Sequence, residues 1–231
     1  MRSSWRSTAT DAAIVLMGCA VLLTATLGIV DRRQTAATPT TKHIVIDAGH
    51  GGADGGAVAA DGTEEKHLNL AVALPLRDLL SVMGYEVSMT RETDVMLNTE
   101  GVTLRERKVS DMKQRLSMVQ SADLTVSIHQ NKFSQERYSG TQVFYSDNHP
   151  QSAQVAEQIR ASVVSLLQPQ NTRPLKVGDR SVYLLSRATQ PIVLVECGFL
   201  SNTQEREKLK NPTYQRQLAL AVAGGVMKGL T

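Results

Sequence analysis

Two histidines and two glutamates in this 231-residue chain are of the types, and in the surroundings, that a hydrolytic zinc site needs. They are His50 in Asp47-Ala48-Gly49-His50-Gly51-Gly52, Glu65 in Glu65-Lys66-His67-Leu68-Asn69-Leu70, His129 in Ser127-Ile128-His129-Gln130-Asn131, and Glu196 in Val193-Leu194-Val195-Glu196-Cys197-Gly198-Phe199. Zinc favours imidazole nitrogen and carboxylate oxygen, and catalytic sites commonly keep three protein ligands and one open position. His50, Glu65 and His129 would supply those ligands to one zinc ion, which would activate a water and polarise a scissile carbonyl. Glu196 would act as general base, taking the water proton and returning it to the leaving amine. Amide hydrolysis needs both functions, because an amine leaves poorly until it is protonated.

Each residue also has a plainer reading. The glycines around His50 permit tight turns and close backbone approach, so the segment could be a turn or a phosphate cradle. It lacks the Lys-Ser/Thr end of a P-loop and the spacing of a dinucleotide fingerprint. Glu65 could be a carboxylate favoured by the positive end of a helix, and Glu64 competes for the same role. His129 could be a satisfied core histidine. Glu196 is harder to explain away, because a carboxylate after Ile192-Val193-Leu194-Val195 is costly to bury without a partner. His43, His67 and His149 read as structural or surface residues.

The elements that must position these groups alternate between strand and helix. His43 to Asp47 is almost continuously apolar, as a buried strand is. A helix follows from about Glu65 to Met83, with Leu68, Val72, Leu76, Leu79 and Met83 on one face and Gly84 as its stop. Strands are expected at Tyr85 to Met89, Leu124 to Ile128, Thr141 to Tyr145, Ser181 to Leu185 and Ile192 to Val195. Helices are expected at Thr103 to Gln120, Ser152 to Leu167 and Pro212 to Met227, the last opened by a proline where its missing N–H matters least. This order predicts one α/β domain of three layers, with a mixed, mostly parallel central sheet flanked by helices. It puts His50, His129 and Glu196 just beyond strand C-termini, the edge where open α/β sheets bind ligands. Glu65 would enter from the following helix. Thr172 to Arg180, with Pro174 and Gly178, reads as a mobile loop over the cleft.

Only 4% of the residues are aromatic, so the core must be aliphatic. Of the net charge of +3, the first 33 residues carry +2 through Arg2, Arg6, Arg32 and Arg33 against Asp11 and Asp31. The rest is nearly neutral, which argues against a nucleic-acid surface. Cys19 and Cys197 are too few for a disulfide framework and read as free thiols. Residues 12–30 are apolar apart from Thr24 and Thr26, and such a helix would span roughly 28 Å, close to a bilayer's hydrocarbon thickness. We expect a cytoplasmic N-terminus at 1–11, a transmembrane anchor helix or signal segment at 12–30, a linker at 31–42 and the chemistry-bearing domain at 43–231.

From about Lys42 onward the chain resembles the zinc-dependent N-acetylmuramoyl-L-alanine amidases of bacterial cell walls, amidase type 3. The resemblance rests on Ile44-Val45-Ile46-Asp47-Ala48-Gly49-His50-Gly51-Gly52, Glu65-Lys66-His67-Leu68-Asn69-Leu70, Met89-Thr90-Arg91, Ser127-Ile128-His129 with Asn131, and Glu196-Cys197-Gly198-Phe199-Leu200-Ser201-Asn202, in the family order. It implies zinc ligands at His50, Glu65 and His129, a catalytic glutamate at Glu196, and cleavage of the amide between N-acetylmuramic acid and L-alanine of the stem peptide. It favours Glu65 over Glu64. Ala48, Gln130 and Cys197 depart from the usual pattern without removing a proposed ligand. The stretch from His129 to Thr141 has no room for the long inhibitory helical insertion of cell-separation amidases. Thr90 to Asp94, Arg105 to Lys108 and Asp111 to Arg115 are similar to the sporulation subgroup, the germination-specific amidases. That resemblance implies a role in spore-cortex maturation through muramic-δ-lactam, with peptidoglycan as substrate and room for a regulatory protein. The location implied is a membrane-anchored enzyme outside the cytoplasm, in the cell wall or the forespore intermembrane space, or a secreted one if the N-terminal segment is cleaved. A vegetative amidase for cell separation or turnover is the alternative, and a non-catalytic peptidoglycan-binding module is a third reading that retention of all four residues opposes.

Overall fold

The computed structural model describes residues 41–231. The expected anchor at 12–30 and most of the expected linker lie outside the described residues. No helix among the described residues is long and apolar enough to cross a membrane.

Six strands form one sheet: β1 (His43–Ala48), β2 (Glu86–Met89), β3 (Leu124–Asn131), β4 (Gln142–Tyr145), β5 (Lys176–Val177) and β6 (Ile192–Phe199). Their order is β2-β1-β3-β6-β4-β5. The β2–β1, β1–β3 and β3–β6 pairs are parallel, β4 runs antiparallel to β6, and β5 is parallel to β4. This is the expected mixed, mostly parallel sheet. The helices are α1 (Glu65–Val82), α2 (Leu104–Val119), α3 (Pro150–Leu166), α4 (Tyr183–Arg187), α5 (Thr203–Lys210) and α6 (Pro212–Leu230).

Val, Ile and Leu dominate the first halves of the central strands and bury both faces of the sheet there, as parallel strands require. On one face, α1, α3 and α6 enclose the larger core around Ile44, Ile46, Ile128, Val193 and Val195. There α6 approaches α3 so closely that a Cβ on Gly225 would sit 2.4 Å from Ile159 Cα. On the other face, α2 and α4 cover a smaller core of Val119, Leu184, Leu185, Ile192 and Leu194. This second face is only partly covered toward the strand C-termini.

Several boundaries differ from expectation. Ser181 to Leu185 is not a strand; its second half starts α4. Leu184 and Leu185 are adjacent and both buried in the smaller core, which a helical turn allows and a one-faced strand does not. The edge-strand role falls instead to Lys176–Val177, so 172–180 is tied to β4, with Gly178 N donating to Tyr145 O at 2.9 Å. Helix α5 was not expected, although Asn202 caps it by accepting from Glu205 N at 3.0 Å. β3 and β6 run past their expected ends, so His129 and Glu196 lie inside strands rather than beyond them.

Candidate active site

The loop after β1 carries His50 in an unusual backbone state. His50 is the only non-glycine with positive φ among the described residues, at 63°. Such conformations cost free energy and persist where the surroundings enforce them. Two buried guanidinium groups do so here. Arg115 donates to Ala48 O at 2.9 Å and to His50 O at 2.7 Å. Arg91 donates to Ala48 O at 2.9 Å and to Gly49 O at 3.0 Å. Three successive carbonyls are thus held by arginines, and Gly51 and Asp54 close the turn with mutual backbone bonds of 2.9 and 3.0 Å. Arg115 is anchored in turn by Asp47 at 2.6 Å and Asp111 at 2.7 Å. Burial pushes the Asp47 carboxyl up, but the Arg115 charge, then His129 and bonds from Ser127 and Arg115, reverse this and hold it at about 2.

The loop delivers His50 to the first residue of α1. His50 Nε2 lies 3.3 Å from Glu65 Oε2, and His129 Nδ1 lies 2.9 Å from Glu65 Oε1. One ligand atom from each of the three falls within 4.8 Å of the others. Two imidazoles and a carboxylate so converged fit zinc in donor type. Glu65 is oriented by the Ala57 N–H at 2.8 Å and the Gln130 N–H at 3.0 Å. Burial opposes its charge, yet its bonds to His129 and His50 carry its pKa far below the usual carboxylate range. His50 Nδ1 rests 2.9 Å from Asp54 Oδ2, and Asp54 is bridged to Lys108 at 2.6 Å. Glycines leave space for this packing: a Cβ on Gly49 would fall 2.3 Å from the His129 ring, and one on Gly56 would fall 2.6 Å from Glu65 Oε2.

Glu196 completes the group from the neighbouring strand. It pairs in register with His129, and side chains of paired residues project to one face. Its Oε2 is buried with no hydrogen-bond partner. Burial lifts its carboxyl to about 7, with His129 pulling down and Glu65 pushing up. A buried, unpaired carboxylate is costly and calls for a functional explanation. A cavity of about 300 Å³ opens between α2 and α4 against His50 and His129, lined also by Met112, Tyr183 and Leu194.

All four residues singled out in the sequence therefore meet. Glu64 turns outward to His67 and Lys66 at 3.3 and 3.4 Å. His43 bonds Ser88, and His149 caps α3. Cys197 is a buried free thiol, with burial raising its pKa. Sequence reasoning did not assign roles to Asp54, Lys108, Asp111 and Arg115. For Arg115 the only signal was a charged helix, within which nothing marks one arginine as inward.

Residues 44–228 match the family described as N-acetylmuramoyl-L-alanine amidase. The germination-specific N-acetylmuramoyl-L-alanine amidase of Bacillus subtilis (strain 168) is 36% identical over 193 residues, covering 82% of this chain and 80% of that protein. Among solved structures, the CwlD amidase from Clostridioides difficile, in complex with the GerS lipoprotein, is 39% identical with a TM-score of 0.79, covering 82% of this chain and 98% of that one. The N-acetylmuramoyl-L-alanine amidase AmiC2 of Nostoc punctiforme is 28% identical with a TM-score of 0.65, over 82% of this chain and 97% of that one.

Proposed function

We propose a zinc-dependent mechanism and a spore-cortex role for this chain, which belongs to the N-acetylmuramoyl-L-alanine amidase family. Its reaction is hydrolysis of the amide joining N-acetylmuramic acid to L-alanine in peptidoglycan. The observation that carries the zinc reading is the convergence of His50, Glu65 and His129 within 4.8 Å, beside a Glu196 oxygen that has no partner.

In this reading His50, Glu65 and His129 hold one zinc ion. Zinc bound there would polarise the scissile carbonyl and make a water easier to deprotonate. Glu196 is the general base: its carboxyl, poised at about 7, takes a proton from the attacking water and returns it to the departing alanine nitrogen. Asp54 fixes the His50 ring so that Nε2 faces Glu65, the second-layer support that histidine ligands usually have. Ala57 and Gln130 orient the Glu65 carboxylate by backbone donation.

The cortex role is supported by the similarity to the germination-specific amidase and to CwlD. It is also supported by the short connection between β3 and β4, which has no inhibitory helix. The complex of CwlD with a lipoprotein favours a regulatory lipoprotein partner here as well. We further propose that residues 12–30 anchor the chain, with 1–11 cytoplasmic, 31–42 as linker and 43–231 as the catalytic domain outside the cytoplasm. The test is digestion of purified peptidoglycan by the full chain, stripped with chelator and then given zinc, with products read by mass spectrometry. Zinc-restored release of peptides with a free L-alanine amino terminus is expected, and release indifferent to zinc would overturn the mechanism. Muramic-δ-lactam should vanish from the cortex of a deletion strain; its persistence would shift the role to the vegetative wall.

A further inference from the structure

We propose that Arg173 selects the substrate by binding the free carboxylate of the stem-peptide residue that follows L-alanine. This rests on the general-base role of Glu196. If Glu196 returns the proton to the alanine nitrogen, that nitrogen sits within hydrogen-bond reach of Glu196, and the peptide continues beyond it. In this proposal the carbonyl side, with the muramyl group, takes the cavity between α2 and α4 that His50 and His129 line. The peptide side therefore runs the other way, across β4.

What lies there is a cationic cleft of about 530 Å³, rimmed by Arg137, Asn171, Arg173, Asn202 and Lys208. Gln142 connects it to the site. Gln142 pairs in antiparallel register with Glu196, so the two side chains share a face. Arg173 Nη1 lies 3.4 Å from Gln142 Oε1, which leaves Arg173 one side chain away from Glu196. Neighbouring strands are about 4.8 Å apart, and an extended peptide advances about 3.4 Å per residue. One to two extended residues thus cross the single strand spacing between Glu196 and Gln142, the side chain that Arg173 contacts.

Arg173 is pre-set for such a group. Its Nε donates to Ser139 O at 2.6 Å, and its guanidinium lies 4.4 Å from the centre of the Phe199 ring. A guanidinium stacked and held in this way loses little freedom on meeting a carboxylate, which it can grip with two parallel donors. Arg137, Arg173 and Lys208 form no salt bridge among the described residues. The one carboxylate lining the cleft, Glu205, is occupied by the N–H groups of Gly140 at 2.6 Å and Phe199 at 2.8 Å. Glu205 also lies in the field of Arg173 and Lys208, but the cleft sets three cations against this one carboxylate, and stem peptides are acidic.

The experiment uses two N-acetylmuramoyl peptides that differ only in whether the carboxyl of the second residue is free or amidated. With the zinc-loaded full chain, the free acid should have a kcat/KM about tenfold or more higher, chiefly through KM, as expected for a charge-assisted pair. Arg173→Gln should erase that preference, and Arg173→Lys, which keeps the charge without the fork, should restore part of it. Equal rates for the two substrates with the unaltered chain, or a preference that survives Arg173→Gln, would overturn the proposal. If neither substrate is cut, titration of the free-acid product peptide into the full chain by calorimetry decides separately. Binding weakened tenfold by Arg173→Gln would uphold the carboxylate site while the hydrolytic reading fails; no binding would overturn it.

Discussion

The Arg115 guanidinium donates to the backbone oxygen of His50 at 2.7 Å. An arginine on α2 thereby holds a histidine on the β1 loop in a left-handed conformation that its own side chain disfavours. The same guanidinium pairs with both Asp47 and Asp111, one positive charge shared by two carboxylates, and it is fully buried. Arg115→Met would leave both carboxylates buried without their counter-charge. Removing one member of a buried ion pair typically costs 3–5 kcal/mol, so denaturant unfolding should show a loss of about 3 kcal/mol or more. Retained stability would mean that water already reaches Asp47.

The same pair sets an acid limit on stability. Asp47 is held at about 2 in the folded chain against an ordinary 3.8. A depressed carboxylate contributes stability above its unfolded value, and that contribution is lost as pH falls through its folded value. The window is therefore about pH 4 down to pH 2, and the amount at stake is about 2 kcal/mol. Unfolding free energy of chelator-treated protein, measured across that window, should fall by this much. In Asp47→Asn the slope should flatten.

Glu196→Gln keeps the shape of the side chain and removes its basicity. Zinc content should stay near one per chain while turnover drops by about 10²- to 10⁴-fold, the usual contribution of a general base. His129→Ala should instead lose the metal. Metal analysis and peptide release on the same preparations separate the two outcomes, and an active Glu196→Gln would refute the assignment of the base.

Asp54→Ala tests the support beneath His50. Removing such partners commonly weakens metal affinity by 10–100-fold. Competition with a chromogenic chelator should report a zinc dissociation constant raised by that factor, with the circular-dichroism spectrum unchanged. An unaltered constant would show that the Arg115 and Arg91 clamps alone orient the ring.

Gly49→Ala places a methyl 2.3 Å from the His129 imidazole. The ring cannot keep its present place 2.9 Å from Glu65 if it is to admit that methyl. Zinc loading should fall well below that of the unaltered chain, although Gly49 is itself no ligand. Full loading would indicate that β1 can shift instead.

The four residues proposed to carry the chemistry stood out in the sequence because each marks a change in local pattern. His129 and Glu196 are polar positions within runs of β-branched residues, His50 sits among glycines, and Glu65 opens an amphipathic helix. The ends of β3 and β6 were not legible. His129 and Glu196 continue the strands only because they pair with each other, across a separation in sequence that neither segment records. Val182-Tyr183-Leu184-Leu185 has the composition of a strand, and only the smaller core, which takes both leucines, makes it helical. Arg115 was hidden for a similar reason: its helix is charged throughout, and the inward face is set by Asp47 on another element. Glu196 gave the clearest advance notice, since an acid in a buried strand has no comfortable structural role.

The buried clamp on the His50 loop has a consequence for anyone who would transplant this chemistry. A graft that copied only His50, Glu65, His129 and Glu196 onto another sheet edge would carry donors without their aim. The loop's three carbonyls would face solvent or apolar groups, and His50 would relax to an ordinary conformation pointing elsewhere. The smallest portable unit is therefore larger than the set of groups proposed to touch metal or substrate. It includes Asp47, Arg91, Asp111 and Arg115, drawn from β1, the turn after β2, and α2.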